Sequence, residues 1–243
     1  MKPPTPIRIA VSGVGNCASS LLQGIHYYAG AHAANGNLNR GLLHPRIGPY
    51  APSDIKVVAA FDIDARKVGK PLETACEALP NCTAKFVKRF PRYGVRVRMG
   101  PILDGVAPHM RRYPSAQTFV VAKAKPANVA RVLKESGAEI LLNYLPVGSQ
   151  KATEAYADAC LEAGVSLINC IPVFIVSDRR WAARFAQRGI PLIGDDVKGQ
   201  VGATILHRTL ARLFMERGAA IDRTYQLNVG ATPTSSTCST RTA

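Results

Sequence analysis

The opening of the chain constrains the fold more than any other stretch. Ile7-Arg8-Ile9-Ala10-Val11-Ser12 is a short apolar run and reads as a buried parallel strand. Gly13-Val14-Gly15-Asn16-Cys17-Ala18 follows at once, and Ser19 to Tyr28 carries a helical pattern. A G-x-G-x-x-A turn between a strand and a helix is the context that dinucleotide binding requires. Gly13 allows the tight turn, Gly15 lets a pyrophosphate approach the backbone, and Ala18 permits close helix–strand packing. The helix N-terminus then faces the phosphates. Gly13, Val14, Gly15, Asn16 and Cys17 are therefore candidate cofactor-binding residues.

The next strand supports this reading. Ile55-Lys56-Val57-Val58-Ala59-Ala60-Phe61 ends in Asp62. An acid at the end of a second strand accepts hydrogen bonds from the adenosine ribose hydroxyls and disfavours a 2′-phosphate, which points to NAD rather than NADP. A plain turn residue is the alternative role for Asp62. The interval from Gly15 to Asp62 is much longer than the usual ~20 residues. Residues from Gly30 to Pro52, rich in Gly, Asn and Pro, are expected to bulge out as a loop.

Strand–helix alternation continues. The pattern predicts helices over Lys125 to Ser136, Ser149 to Ala163 and Arg179 to Arg188, with strands over Ala138 to Tyr144, Val165 to Cys170 and Pro191 to Ile193. Repeated units of this kind mean an α/β fold with a doubly wound parallel sheet. Ligands bind at the C-terminal ends of such strands. Asp62, Asn143 to Ser149, Asn169 to Pro172 and Asp195-Asp196 all fall there and should converge on one crevice. Gly194-Asp195-Asp196-Val197-Lys198 places two carboxylates and a lysine between a strand and a helix, a place for proton transfer or phosphate binding. An N-cap acid followed by a solvated lysine is the plainer alternative. Val201 to Arg217 reads as one long helix closed by Gly218, and Thr224 to Val229 as a strand that could open a second domain.

Composition narrows the partners. The formal charge of +15 is partly local, with Lys85, Lys88, Arg89, Arg92, Arg96, Arg98, Arg111 and Arg112 in one segment. Phe86, Phe90 and Tyr93 interleave with them as on a nucleic-acid surface, yet no nucleic-acid motif accompanies the charge. A solvated basic loop or an anion-attracting rim is preferred, and no nucleic-acid partner is expected. The six cysteines show no zinc spacing, and no metal site is expected. Cys17 and Cys170 lie in apolar contexts and are expected to be small buried thiols. Without an apolar run of membrane-spanning length or a signal peptide, the chain reads as cytoplasmic, with no membrane partner.

Longer segments carry a resemblance. Gly13 to Gly24, Gly41 to Tyr50, Ala59 to Gly69, Gly100 to Met110, Asn143 to Ser149, Asn169 to Ser177, Gly194 to Arg208 and Tyr225 to Gly230 resemble inositol-3-phosphate synthase, also called myo-inositol-1-phosphate synthase, in its shorter bacterial form. The run Gly194 to Thr204 and Asn143-Tyr144-Leu145-Pro146-Val147-Gly148-Ser149 are its most specific parts. The resemblance implies an isomerase of inositol and phospholipid biosynthesis that converts glucose 6-phosphate to myo-inositol 3-phosphate. Tightly bound NAD would oxidise the C5 hydroxyl, enolisation and aldol closure would follow, and the hydride would return. It further implies Asp196 and Lys198 as catalytic residues, and Tyr144, Leu145, Pro146, Asn169 and Asp195 as cofactor neighbours beside Gly13, Gly15, Asn16 and Asp62. A homotetramer is the implied assembly.

Two departures from the family pattern stand out. Gly199 replaces a usual serine, and after Gly230 the chain leaves the pattern altogether. Deleting one base from a second glycine codon of the family motif, written in GC-rich codons, reproduces Gly230 to Ala243. The expected organisation is an incomplete NAD-binding Rossmann-like domain over 1–195, the beginning of an α+β catalytic and tetramerisation domain over 196–230, and an aberrant disordered tail over 231–243. Such a C-terminally truncated chain is expected to be poorly stable and inactive. An NAD-dependent dehydrogenase and a non-catalytic NAD-binding fragment remain as alternatives.

Overall fold

The computed structural model describes residues 4–34, 41–105, 113–197 and 203–226. The chain divides into two compact units, Met1–Asp195 and Asp196–Ala243.

The first unit is built on a six-stranded sheet of β1 (Ile7–Ser12), β2 (Ile55–Asp62), β3 (Arg98–Met99), β4 (Ile140–Asn143), β5 (Ser166–Asn169) and β6 (Leu192–Ile193). Every pairing is parallel, in the order β3-β2-β1-β4-β5-β6. This is the doubly wound α/β class, with the strand order reversing between β1 and β4. The helices are α1 (Asn16–Ala34), α2 (Leu72–Ala75), α3 (Val129–Ser136), α4 (Gln150–Ala163) and α5 (Arg179–Gln187).

Side chains alternate across the strands, so the sheet separates two cores. Ile9, Val11, Val57 and Ala60 pack with Val14, Ala18 and Leu22 of the α1 side and with Leu72 and Ala75 of α2. Ala10, Ala59 and Phe61 pack on the other face with Leu133, Tyr156, Cys160 and Phe185. A register shift between Ile9 and Ala10 sets Ile9 opposite Val57 but Ala10 opposite Ala59. That irregularity lets Val57 and Ala60, three residues apart, share one face.

Helix ends follow local chemistry. Asn128 caps α3 by accepting from the Arg131 amide at 2.8 Å, which moves the start in from Lys125. Gly137 and Gly164 close α3 and α4 in the left-handed conformation. Two expectations are corrected here, and two short elements are added. Helix α1 starts at Asn16 and runs to Ala34, into the stretch read as loop, because Ala29, Ala31, Ala33 and Ala34 extend it as strong helix formers. The short β3 and α2 were not anticipated. Cys17 is exposed and Cys170 half-buried, while Cys76 and Cys160 are the buried thiols. The basic segment also differs from a stacking surface. Phe90 and Tyr93 pack against the α1-side core, although Lys85, Lys88, Arg89 and Arg92 remain exposed. Arg111 and Arg112 lie outside the described residues.

The second unit contains α6 (Ala203–Glu216). Gly218, at φ +78°, follows its last turn. Thr224 Oγ1 lies 2.6 Å from His207 Nε2, and Gln226 Oε1 3.2 Å from His207 Nδ1, so this segment doubles back on α6. Residues 221–226 form no strand, and 227–229 lie outside the described residues. Their polar side chains bond to the helix, and among the described residues no strand pairs with them. No described helix is long and apolar enough to cross a membrane.

Candidate functional site

The turn after β1 sits where the strand order reverses, the usual crevice of such sheets. Gly13 has φ +88°, and its amide donates to the Phe61 carbonyl at 2.8 Å. A Cβ here would lie 2.5 Å from the Tyr144 carbonyl oxygen, so the β1 and β4 loops touch through this glycine. Gly15 is the opposite case. A Cβ built on it meets nothing within 4 Å, so its outer face is open. Helix α1 begins at the next residue and has no acid in its first turn. An open glycine leading into helix amides suits an anion.

Asp62 closes the turn from the β2 side. Its Oδ2 accepts from the Val14 amide at 2.8 Å, and its Oδ1 from the Ile63 and Asp64 amides at 2.7 and 2.8 Å. Val14 itself is fully buried, so it contributes its backbone rather than a contact surface. Asn16 Oδ1 accepts from the Cys82 amide at 2.8 Å and the Thr83 hydroxyl at 3.1 Å. That grip lays residues 82–83 beside the start of α1.

A second arrangement crosses the C-terminal ends of four strands. Ser12 Oγ donates to Asn143 Oδ1 at 3.1 Å, and Asn143 Nδ2 donates to Asn169 Oδ1 at 2.8 Å. Asn169 Nδ2 in turn donates to Asp195 Oδ1 at 2.8 Å and to the Val173 carbonyl at 2.6 Å. Parallel register places Ser12, Asn143 and Asn169 abreast, which makes the ladder possible. Asp195 also accepts from the amides of Ile175, Val176 and Ser177 at 3.0–3.2 Å. Burial opposes its charge, but the Asn169 amide and these backbone amides outweigh it and hold the carboxyl below the ordinary range. Asn169 is wholly enclosed, so it shapes the crevice from beneath and presents no surface to a ligand.

Tyr144, Leu145 and Pro146 follow β4 directly and are half-buried. The Tyr144 amide donates to the Ser12 carbonyl at 2.8 Å. Burial first, and then the neighbouring Cys170 and Cys17 thiols, push the Tyr144 hydroxyl above the usual phenol range. It stays a neutral group. Asp196 is exposed with φ +70°, and its Oδ1 accepts from the Val197 amide at 2.8 Å. Lys198 lies outside the described residues.

Two buried charged groups near the turn were not singled out from the sequence. Asp64 is fully enclosed and bonds the Arg66 guanidinium at 2.5 and 2.9 Å. Arg66 also reaches the Ser115 and Thr118 carbonyls at 2.6 and 2.7 Å, tying the loop after β2 to a distant one. Lys67, 4% exposed, bonds the Val14 carbonyl at 2.8 Å. In the sequence both belong to a charged run, which is usually a solvated face. Their position directly after a strand that ends in Asp62 was the available signal.

Comparison with known proteins bears on what this arrangement serves. No family model matches the chain. The inositol-3-phosphate synthase of Corynebacterium glutamicum is 49% identical over 224 residues, which is 92% of this chain and 60% of that protein. The chain belongs to the inositol-3-phosphate synthase family. The enzyme of that name from Mycolicibacterium smegmatis is also 49% identical, with the same coverage. Among solved structures, the crystal structure of Ari2 superposes with a TM-score of 0.79 at 36% identity, covering 94% of this chain and 66% of that one. The chain thus spans about 60% of the length of the inositol-3-phosphate synthases it matches.

Proposed function

We propose that the first unit binds NAD, and that it does so as part of an inositol-3-phosphate synthase that isomerises glucose 6-phosphate to myo-inositol 3-phosphate. The observation that carries this reading is the 49% identity, over 92% of the chain, to relatives of that name. The residues at the β1–β4 switch suit the cofactor. Gly15 leaves open the space a side chain would fill, and the amides of Asn16 and Cys17 open α1 for a pyrophosphate. Asp62 spends three of its roughly four acceptor sites on backbone amides, which leaves one for an adenosine ribose hydroxyl. Its charge disfavours a 2′-phosphate. Tyr144, Leu145 and Pro146 shield the crevice from water, and Asn169 with Asp195 fixes its floor.

Bound NAD supplies the oxidation of the sugar at C5 and the later reduction, with no net redox change. Proton transfer during enolisation and ring closure falls to Asp196 and Lys198, a carboxylate and an amine suited to pass a proton. The homotetramer and the place in inositol and phospholipid biosynthesis implied by the resemblance, with the cytoplasmic location read from the sequence, belong to the same proposal.

Calorimetric titration of the 243-residue chain is expected to show one NAD site, with NADP at least about tenfold weaker, a difference of ~1.4 kcal/mol. No NAD binding would overturn the cofactor assignment. Incubation with NAD and glucose 6-phosphate then separates the activities. An inositol phosphate formed without net NADH supports the isomerase. Net NADH favours a dehydrogenase, and binding without product limits this chain to holding the dinucleotide.

A further inference from the structure

Lys67 carries an inference that the fold alone does not. A buried ammonium is costly unless its protons are matched by acceptors. Here they are matched at one place, the underside of the glycine-rich turn. Lys67 Nζ donates to the Val14 carbonyl at 2.8 Å and to Asn81 Oδ1 at 2.8 Å, and lies 3.9 Å from Asp62 Oδ2. Asn81 Nδ2 donates to the same Val14 carbonyl at 3.0 Å and to the Cys76 carbonyl at 3.0 Å. Val14 is thereby held at both ends, its amide by Asp62 and its carbonyl by Lys67 and Asn81.

The consequence follows from the planarity of the peptide bond. In a trans peptide, the carbonyl of one residue and the amide of the next point in opposite directions. A Val14 carbonyl drawn inward by Lys67 and Asn81 turns the Gly15 amide the opposite way, on a residue whose side-chain position is also open, since a Cβ there would meet nothing. Asp62 adds a second requirement. Its carboxylate binds the same turn, and an unbalanced negative charge there would repel a diphosphate. Lys67 stands beside it with 5% of its side chain exposed, and Asp62 with 11%, so water screens the pair little.

We propose that Lys67 is a positioning residue for diphosphate-bearing nucleotides: with Asn81 it orients the Val14–Gly15 peptide toward the ligand and balances the charge of Asp62. The proposal rests on the reading of this turn as a dinucleotide site. It predicts selectivity within a ligand series. Adenosine reaches Asp62 through its ribose, but it is uncharged and has no phosphate for the Gly15 amide, whereas ADP-ribose and NAD bring a diphosphate that needs both the amide and the balanced charge.

The test measures affinities of the 243-residue chain for adenosine, ADP-ribose and NAD, with Lys67→Met and Asn81→Ala alongside. Lys67→Met is expected to lose at least tenfold in affinity for ADP-ribose and NAD while adenosine changes less than twofold. Asn81→Ala, which keeps the ammonium, is expected to lose about threefold for the diphosphates. A purely structural role would weaken all three ligands together, and equal losses, or none, in both variants would overturn the proposal. Should Lys67→Met fail to fold, the ratio in Asn81→Ala decides alone: unchanged selectivity refutes it. If the unmodified chain binds neither ADP-ribose nor NAD, the dinucleotide reading falls, a result distinct from unchanged selectivity.

Discussion

Two glycines in one turn make opposite demands. Gly13 stands in left-handed backbone with the Tyr144 carbonyl where a Cβ would go, so its requirement is structural. Gly15 has neither restriction, and its bareness matters only to something arriving from outside. Gly13→Ala is expected to destabilise the folded chain by about 2–4 kcal/mol, combining the left-handed cost with overpacking. Gly15→Ala should change stability by no more than about 1 kcal/mol, yet weaken NAD at least tenfold. Urea unfolding and NAD titration on the two variants check this. If Gly15→Ala binds NAD as tightly as the parent, the open face is not the ligand's. The contrast between these glycines was half legible in the sequence. The G-x-G-x-x-A spacing predicts both roles, but the partner of Gly13 is the Tyr144 carbonyl on the β4 loop, which no spacing rule names. Lys67 was only partly legible: its place just after the strand that ends in Asp62 was a signal, but a charged run gives no sign of which member turns inward.

Among the elements, the polar ladder is what binds the strand ends into one floor. Ser12, Asn143, Asn169 and Asp195 each stand at or just beyond the C-terminus of a different strand, and each bonds the next. Asn169→Ala would strip the central member, leaving Asn143 and Asp195 short of a partner in a buried site. The expected loss is roughly 2–4 kcal/mol, since unsatisfied buried polar groups cost about 1–3 kcal/mol each. A denaturant midpoint unchanged in this variant would show that water replaces the amide without cost. The strands themselves were legible because β1, β2, β4 and β5 are apolar runs with clear punctuation. Two residues of β3 and four of α2 are too few to show a period, so tertiary pairing alone defines them. The ladder was visible only as polar residues at strand ends. Which of them face each other is a matter of register, and register becomes definite when the strands are paired.

Across the whole first unit, ionisable groups set a window of pH in which the fold is most stable. On the acid side stand Asp64 and Asp195. Burial opposes the charge of Asp64, but the Arg66 side chain and amide outweigh it and hold its carboxyl below the ordinary range, as the Asn169 and backbone amides do for Asp195. A carboxylate with a depressed folded pKa contributes stability above its unfolded value of about 3.9, and loses it as pH falls through the folded value. On the alkaline side stand the buried thiols. Burial pushes Cys76 up to about 12 and raises Cys160 as well. Unfolded thiols ionise near pH ~8.5, so their contribution is complete below that value and declines as pH climbs toward the folded one. The chain should therefore hold its highest melting temperature between about pH 4 and pH 8.5 and lose it on both sides. Variants assign the limbs. Asp64→Asn should flatten the acid limb and lower stability at neutral pH by roughly 2–3 kcal/mol. That is less than the ~3–5 kcal/mol of a fully buried pair, because the Arg66 side chain keeps 27% exposure. Cys76→Ala should flatten the alkaline limb and leave the acid one alone. Melting curves from pH 3 to pH 10 test both, and an acid limb as steep in Asp64→Asn as in the parent would remove Asp64 from the account.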